Sequence, residues 1–214
     1  MAMIFMTGGT GYMGRQLIPQ LLERGHKVRA LVRKGSEEKL PAGCESVLGN
    51  ALDASTYTTA IPGGSTFIHL VGVAHPSPAK AKQFAEIDLV AAASAIRAAT
   101  EASVAHFVFL SVAHPAPIMK TYVEVRAQAE QMLRESGMNA TILRPWYVLG
   151  PGHRWPYALI PFYWLLSKIP ATRAGAERLG LVTLSQMTRA LVRAVESPAQ
   201  GVQIIDVLAI RDPK

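Results

Sequence analysis

Met6-Thr7-Gly8-Gly9-Thr10-Gly11-Tyr12-Met13-Gly14 is the stretch that decides how this chain is read. The apolar run Met3-Ile4-Phe5 leads into it and an amphipathic run, Gln16 to Arg24, follows, so the order is strand, glycine turn, helix. That order suits a dinucleotide pyrophosphate, because bare backbone N–H groups at a helix N-terminus attract anions. The glycines have separate physical jobs: one permits the turn, one lets phosphate approach the backbone, one lets helix and strand pack closely. Two registers are open, Gly9, Gly11, Gly14 as G-x-G-x-x-G and Gly8, Gly11, Gly14 as G-x-x-G-x-x-G, and an ordinary glycine turn is the plainer alternative.

In the second register, with Thr7 ahead and Gly11-Tyr12-Met13-Gly14 closing it, the nonapeptide resembles the signature of atypical and extended short-chain dehydrogenase/reductases. The resemblance implies an α/β fold, a doubly wound parallel (Rossmann) sheet with a small carboxyl-terminal lobe. It also implies that Thr7, Gly8, Gly11, Tyr12, Met13 and Gly14 contact the cofactor.

Composition agrees with one globular domain over 1–214: half of the 214 residues are hydrophobic, enough for a sizeable core. The formal charge of +7 comes without a run of five or six basic residues, so nucleic acid is not expected and the charge suits an anionic cofactor. A single cysteine, Cys44, permits no intrachain disulfide and favours a reducing, cytoplasmic compartment; packing is its expected role. The apolar strand starts at the third residue and no Lys or Arg precedes Arg15, which leaves no room for a secretory leader. No Cys/His or carboxylate cluster has metal spacing.

Past the first helix, ended by Gly25-His26, Lys27 to Val32 reads as a second strand that finishes in Arg33-Lys34. An acidic residue at this point accepts from the ribose 2′-hydroxyl of NAD, whereas arginine suits a 2′-phosphate. Two cations, with no carboxylate before Glu37, therefore favour NADP(H) over NAD(H), a solvated strand end being the alternative. A third strand, Glu45 to Leu48, precedes Gly49-Asn50-Ala51-Leu52-Asp53-Ala54-Ser55. This resembles the family's G-D-x-x-D-x-x-S segment, which implies that Asn50, Ala51 and Leu52 line the adenine pocket, with Asn in place of the usual Asp. Asp53 is better read as a helix N-cap.

Thr66 to Leu70 is apolar enough for a strand covered on both faces, and Val71, Gly72 and Val73 beyond its carboxyl end should pass beside the cofactor. His75 falls in a Pro-containing loop and reads as an exposed histidine. A helix is expected from about Ala79 to Thr100, within which Asp88 and Arg97 show no evident charge role. His106 to Leu110 is a fifth strand, ending at Ser111.

The family's reductases use a serine here to hold the substrate oxygen, a tyrosine as acid/base and a lysine four residues on. By that resemblance Ser111, Tyr122 and Arg126 are the catalytic candidates, Arg126 standing where Y-x-x-x-K requires Lys. Spacing of four puts Tyr122 and Arg126 on one helix face, and a tyrosine with a free pKa near 10 needs a neighbouring cation. The bland alternative is a helix-start aromatic and an exposed Arg126 paired with Glu130.

Asn139 to Arg144 reads as the sixth strand; Thr141-Ile142-Leu143-Arg144-Pro145 and Leu149-Gly150-Pro151-Gly152 resemble the family's T-I-L-R-P and Y-G-P-G, which implies that Pro145 borders the nicotinamide. The resemblance runs from Met1 to about Gly152. The aromatic stretch 155–166 is expected to wall an apolar substrate pocket, to meet a protein partner or to touch a membrane surface; Pro156, Pro161 and Pro170 speak against a spanning helix. A short strand at Leu181 to Leu184, a helix from a Ser185 cap to Glu196 and a last strand at Val202 to Val207 follow, residues 146–180 and 197–214 making the lobe. The leading expectation is NADPH-dependent reduction of a carbonyl or related apolar small molecule. The competing one, from a different class, is an NADP(H)-binding protein without turnover, a sensor like NmrA or a structural subunit like the accessory subunit of respiratory complex I.

Overall fold

The structure, a computed structural model, describes residues 1–74, 76–151 and 169–211. Seven parallel strands make the main sheet: β1 (Met3–Thr7), β2 (Lys27–Val32), β3 (Glu45–Leu48), β4 (Thr66–His69), β5 (His106–Leu110), β6 (Ala140–Leu143) and β9 (Val202–Ile205), in the order β3-β2-β1-β4-β5-β6-β9. The order reverses between β1 and β4, the switch point at which such sheets hold ligands beyond their carboxyl ends. Two further strands, β7 (Tyr147–Leu149) and β8 (Leu181–Thr183), pair by themselves in parallel.

Alternation along β1 sends Ile4 and Met6 to one face of the sheet and Phe5 to the other, and both faces are buried. On the first face Ile4 and Met6 share a core with Leu17, Ile18 and Leu21 of α1 (Gly14–Glu23) and with Met187, Ala190 and Leu191 of α6 (Leu184–Glu196). On the second face Phe5, Phe67 and Phe107 pack under the small residues Ala92, Ala95 and Ala99 of α3 (Val90–Glu101) and under Ala129 and Leu133 of α4 (Lys120–Glu135). Alanine on α3 brings that helix close to the sheet and leaves the phenylalanine rings to fill the layer.

Four expectations are corrected. The helix expected from Ala79 is broken into a 3₁₀ turn at Pro78–Lys80, a short α2 (Ala81–Gln83) and a π-helical segment at Phe84–Leu89 before α3 begins. Asp88, read as having no charge role, is buried in an ion pair with Arg126 at 2.6 Å. Ser185 is not the cap of α6: Thr183 is, accepting from the Gln186 N–H while the Gln186 side chain accepts from the Thr183 N–H, because Thr183 is the last extended residue and Ser185 is already helical. The last strand stops at Ile205 and belongs to the main sheet beside β6, not to a lobe; Asp206 then accepts from the Ala209 N–H and Val207 opens the short α7 (Val207–Arg211). Asp53 does cap, but a 3₁₀ turn, Ala54–Thr56. His75 and the aromatic stretch 155–166 lie outside the described residues, which include α5 (Pro170–Arg178) beyond it. Among the described residues no helix is long and apolar enough to cross a membrane.

Candidate dinucleotide and active site

The glycine turn sits between the end of β1 and α1, and its geometry shows why side chains are missing. Gly8 has φ +81°, and a Cβ there would stand 2.8 Å from the Leu70 carbonyl carbon at the end of β4. A Cβ on Gly14 would stand 2.5 Å from the Gly8 carbonyl oxygen and 2.6 Å from the Gly9 Cα, so α1 could not start so close to the turn. At Gly9 the obstacle is different, the Ala30 Cβ of β2 at 2.9 Å. Gly11 is exposed and its N–H returns to the Gly8 carbonyl at 3.0 Å.

Beyond the carboxyl ends of β1, β2 and β4 lies a cleft of about 360 Å³, within the size range of small-molecule sites. Gly8 and Gly11 form its floor, Val71 and Gly72 one wall, Asn50, Ala51 and Leu52 another, and Arg33 stands at its rim. The cleft thus gathers residues from the turn and from the ends of three strands that are far apart in sequence. Thr10, Ser36 and Ile87 line it as well and were not expected there; Ile87 enters from the π-helical segment, which periodicity had read as plain helix.

Other sequence-predicted contacts lie elsewhere. Thr7 is buried under the turn with its hydroxyl 2.8 Å from the His69 Nδ1, so it supports the floor instead of lining it. Met13 packs in the core with α6, Gly14 is buried, and the Tyr12 hydroxyl lies against Gly150, where a Cβ would collide with it. Lys34 is exposed outside the cleft lining. Val73 is held by its N–H, which donates to Asp88 at 3.0 Å, and Pro145 is buried with its carbonyl accepting from the Ala113 N–H at 2.8 Å.

An NAD(P) dinucleotide fits what is present. The start of α1 has no capping side chain and no acidic residue in its first turn, which leaves the positive end of the helix to an anion. Leu31 and Ile87 supply apolar surface for a base, and among the described residues no carboxylate pairs with Arg33.

Two of the three catalytic candidates, Tyr122 and Arg126, meet beside the next part of the sheet edge. Tyr122 lies in the first turn of α4, half-buried, its ring 4.9 Å from that of Phe84. The Arg126 guanidinium carbon stands 5.4 Å from the centre of the Tyr122 ring and 5.7 Å from that of Phe109. Arg126 is not exposed and does not pair with Glu130: it is 5 % exposed and its fork is shared among Asp88 at 2.6 Å, the Leu110 carbonyl at 3.2 Å and the Val71 carbonyl at 3.4 Å. Burial works against its charge, but Tyr122 and Asp88 together hold the guanidinium above its ordinary range. Burial pushes the Asp88 carboxyl up, opposed by Arg126 and the Val73 N–H.

Ser111 departs from its expected role. Its hydroxyl donates to Glu130 at 2.6 Å, and with one proton to give it has none for a substrate carbonyl. Glu130, fully buried, also accepts from Arg134 at 2.9 Å and from the Nε of Arg144 at 2.9 Å; burial pushes its carboxyl up, and the hydrogen bonds from Arg144 and Ser111 more than offset that, leaving it below the usual range. Ser111 is therefore a member of a buried network that ties β5, α4 and β6 together.

A family model described as NAD(P)H-binding matches residues 8–154, from the glycine turn to just beyond β7. The chain belongs to the NAD(P)H-binding family. Its fold is shared with a solved short-chain dehydrogenase/reductase superfamily protein from Agrobacterium tumefaciens, at a TM-score of 0.69 and 20 % identity over 97 % of this chain and 80 % of that one. This family member is 27 % identical over 168 residues to a 4-hydroxy-2-methyl-3-oxo-4-farnesyl-3,4-dihydroquinoline-1-oxide ketoreductase of Stigmatella aurantiaca, covering 68 % of this chain and 50 % of that one. It is 24 % identical over 207 residues to a ceramide reductase of Caulobacter vibrioides, covering 95 % and 64 %. The chain thus spans half to about two thirds of these curated relatives. Among solved structures, the Bordetella bronchiseptica enzyme WbmH in complex with NAD+ superposes with a TM-score of 0.71 at 23 % identity, over 96 % of this chain and 75 % of that one.

Proposed function

We propose that this NAD(P)H-binding protein takes NADP(H) in preference to NAD(H) and reduces the carbonyl of an apolar small molecule, with Tyr122 as proton donor. The observation that carries the reading is the place of Tyr122: a half-buried phenol beside the sheet edge, with a guanidinium 5.4 Å from its ring that also bonds the Val71 carbonyl in the cleft wall. When bound, the reduced nicotinamide supplies a hydride for the carbonyl carbon. Tyr122 Oη gives its proton to the carbonyl oxygen, and the buried Arg126 favours the charge left on the phenol. Arg33 at the rim supports the phosphorylated cofactor, since a guanidinium without a carboxylate partner matches a phosphate geometrically. Reduction is also the chemistry for which the quinoline-oxide ketoreductase and the ceramide reductase are named, and a farnesyl chain and a ceramide both suit an apolar pocket. We assign the wall of that pocket to the aromatic stretch 155–166, on its sequence.

One observation favours the reading without turnover. The Ser111 hydroxyl is satisfied inside the protein and the two terminal nitrogens of Arg126 are held there by Asp88 and two carbonyls, as they would be in a cofactor-holding sensor or subunit. NADPH with a panel of apolar aldehydes, ketones and quinones, followed by cofactor absorbance, separates the two. Turnover in the wild type that drops by roughly a hundredfold or more in Tyr122→Phe supports reduction; tight NADPH binding with no consumption supports the sensor.

A further inference from the structure

A second cavity, of about 300 Å³, opens beyond the carboxyl ends of β5, β6 and β9 and shares no lining residue with the dinucleotide cleft. Two arginines and two carboxylates line it: Arg144 after β6, Arg178 at the end of α5, Glu177 beside it and Asp206 after β9. Opposite charges around one small space ordinarily close on each other, yet among the described residues no salt bridge joins either arginine to either carboxylate. Each is held by an anchor of its own. Arg144 gives Nε and Nη2 to Glu130, and Arg178 gives Nε to the Pro115 carbonyl at 3.1 Å. Glu177 Oε1 accepts from Arg173 at 2.9 Å, and Asp206 Oδ1 accepts from the Ala209 N–H at 3.0 Å. Arg144 Nη1, both terminal nitrogens of Arg178 and Asp206 Oδ2 are left over. Asp206 is the carboxylate without a cation of its own, since Glu177 has Arg173 beside it and Arg211 in its field. Ile204 and Leu208 line the same cavity and are 44 % and 47 % exposed, apolar surface that the fold leaves open to water.

We propose that this cavity binds a small zwitterion of the α-amino acid type, its carboxylate on Arg144 and Arg178, its ammonium on Asp206 and its apolar side chain over Ile204 and Leu208. Both charges are needed. A ligand that is only an anion meets Asp206 and Glu177 as well as the arginines, and one that is only a cation meets the arginines as well as Asp206. Guanidinium forks match a carboxylate geometrically, and anchors that keep the protein's own charges apart leave each side ready for a partner. The volume stands at the small end of ligand sites, which limits the occupant to a small molecule. Covering Ile204 and Leu208 favours an apolar side chain over a polar one. The alternative is a solvated crevice whose charges meet only water and salt.

The test is calorimetric titration of the full chain with L-leucine, L-methionine and L-phenylalanine, followed by the amide and the N-acetyl form of whichever binds best. The methyl resonances of Ile204 and Leu208 report the place of binding. Neither cofactor nor turnover enters the measurement, so its outcome is independent of the reduction reading. The expected result is saturable binding of one amino acid per chain that shifts both methyl groups. The amide, which lacks the carboxylate, and the N-acetyl form, which lacks the ammonium, should each bind roughly ten- to a hundredfold more weakly. Asp206→Asn, which keeps an oxygen for the Ala209 N–H, and Arg178→Gln should weaken the amino acid by a similar factor and leave NADPH affinity unchanged. The two substitutions lie on separate elements, so one serves if the other does not fold. No saturable heat from any of the three amino acids overturns the proposal. So do amide and N-acetyl forms that bind as tightly as the amino acid, unmoved Ile204 and Leu208 methyls, or affinity that survives both substitutions.

Discussion

The proposed preference for NADP(H) rests on a single guanidinium, Arg33, in the lining of the cleft. Arg33→Ala is expected to weaken NADPH binding by roughly ten- to a hundredfold, the loss of one charge-assisted contact, and to leave NADH nearly unchanged. Fluorescence titration with both cofactors checks this, and equal losses would remove Arg33 from the 2′-phosphate. Gly14→Ala should do something different: its Cβ would stand 2.5 Å from the Gly8 carbonyl oxygen, so the turn must open and both cofactors should bind more weakly, visible in the same titrations. The glycines were legible in the sequence because their spacing is itself the signal. Asp88 was not, because an acidic residue in a helical stretch announces nothing about a partner thirty-eight positions away.

Among the elements, strands were easier to read than the pieces between them. β1 to β6 fall within a residue or two of their expected places: β4 is an apolar run covered on both faces, and β2 shows the alternation of a strand. The π segment was hidden because Phe84, Ile87 and Ala91 fit a helical stripe whether or not one turn is widened. The α6 cap was misread by two residues: Thr183 and Ser185 both offer a hydroxyl, and only the backbone, extended at Thr183 with ψ 157°, tells which is outside the helix. Thr183→Ala should therefore cost about 1 kcal/mol of stability by denaturant unfolding, while Ser185→Ala stays within about 0.5 kcal/mol. The reverse ranking would contradict the capping box. Because β9 is short and its first residues are exposed, its pattern gave no hint that it would join the main sheet beside β6.

For the molecule as a whole, two buried histidines set a response to acid. Burial, with Arg126 adding to it, pushes His69 down to about 3, and burial pushes His106 down to about 4, both from 6.5. Below about pH 6.5 the unfolded chain binds protons at these positions that the folded chain refuses, so stability must fall as pH drops, until about 4 for His106 and about 3 for His69. Each histidine contributes a slope of up to about 1.4 kcal/mol per pH unit. Unfolding midpoints between pH 7 and 4 should accordingly drop more steeply in the wild type than in His69→Gln, whose amide can still meet Thr7; parallel curves would contradict a neutral His69.

The same core that keeps these histidines neutral carries β1, β4 and β5 to a common edge, where the cleft and Tyr122 lie side by side. Whether hydride leaves that edge is measured directly with NADPH deuterated at the transferring position of nicotinamide C4 and the carbonyl panel, by mass spectrometry of the products. The account predicts one deuterium on the carbinol carbon for each NADP+ formed, at a rate reduced by roughly a hundredfold or more in Tyr122→Phe. Tight binding of NADPH with no deuterium in any product would contradict it and leave this chain a holder of the cofactor.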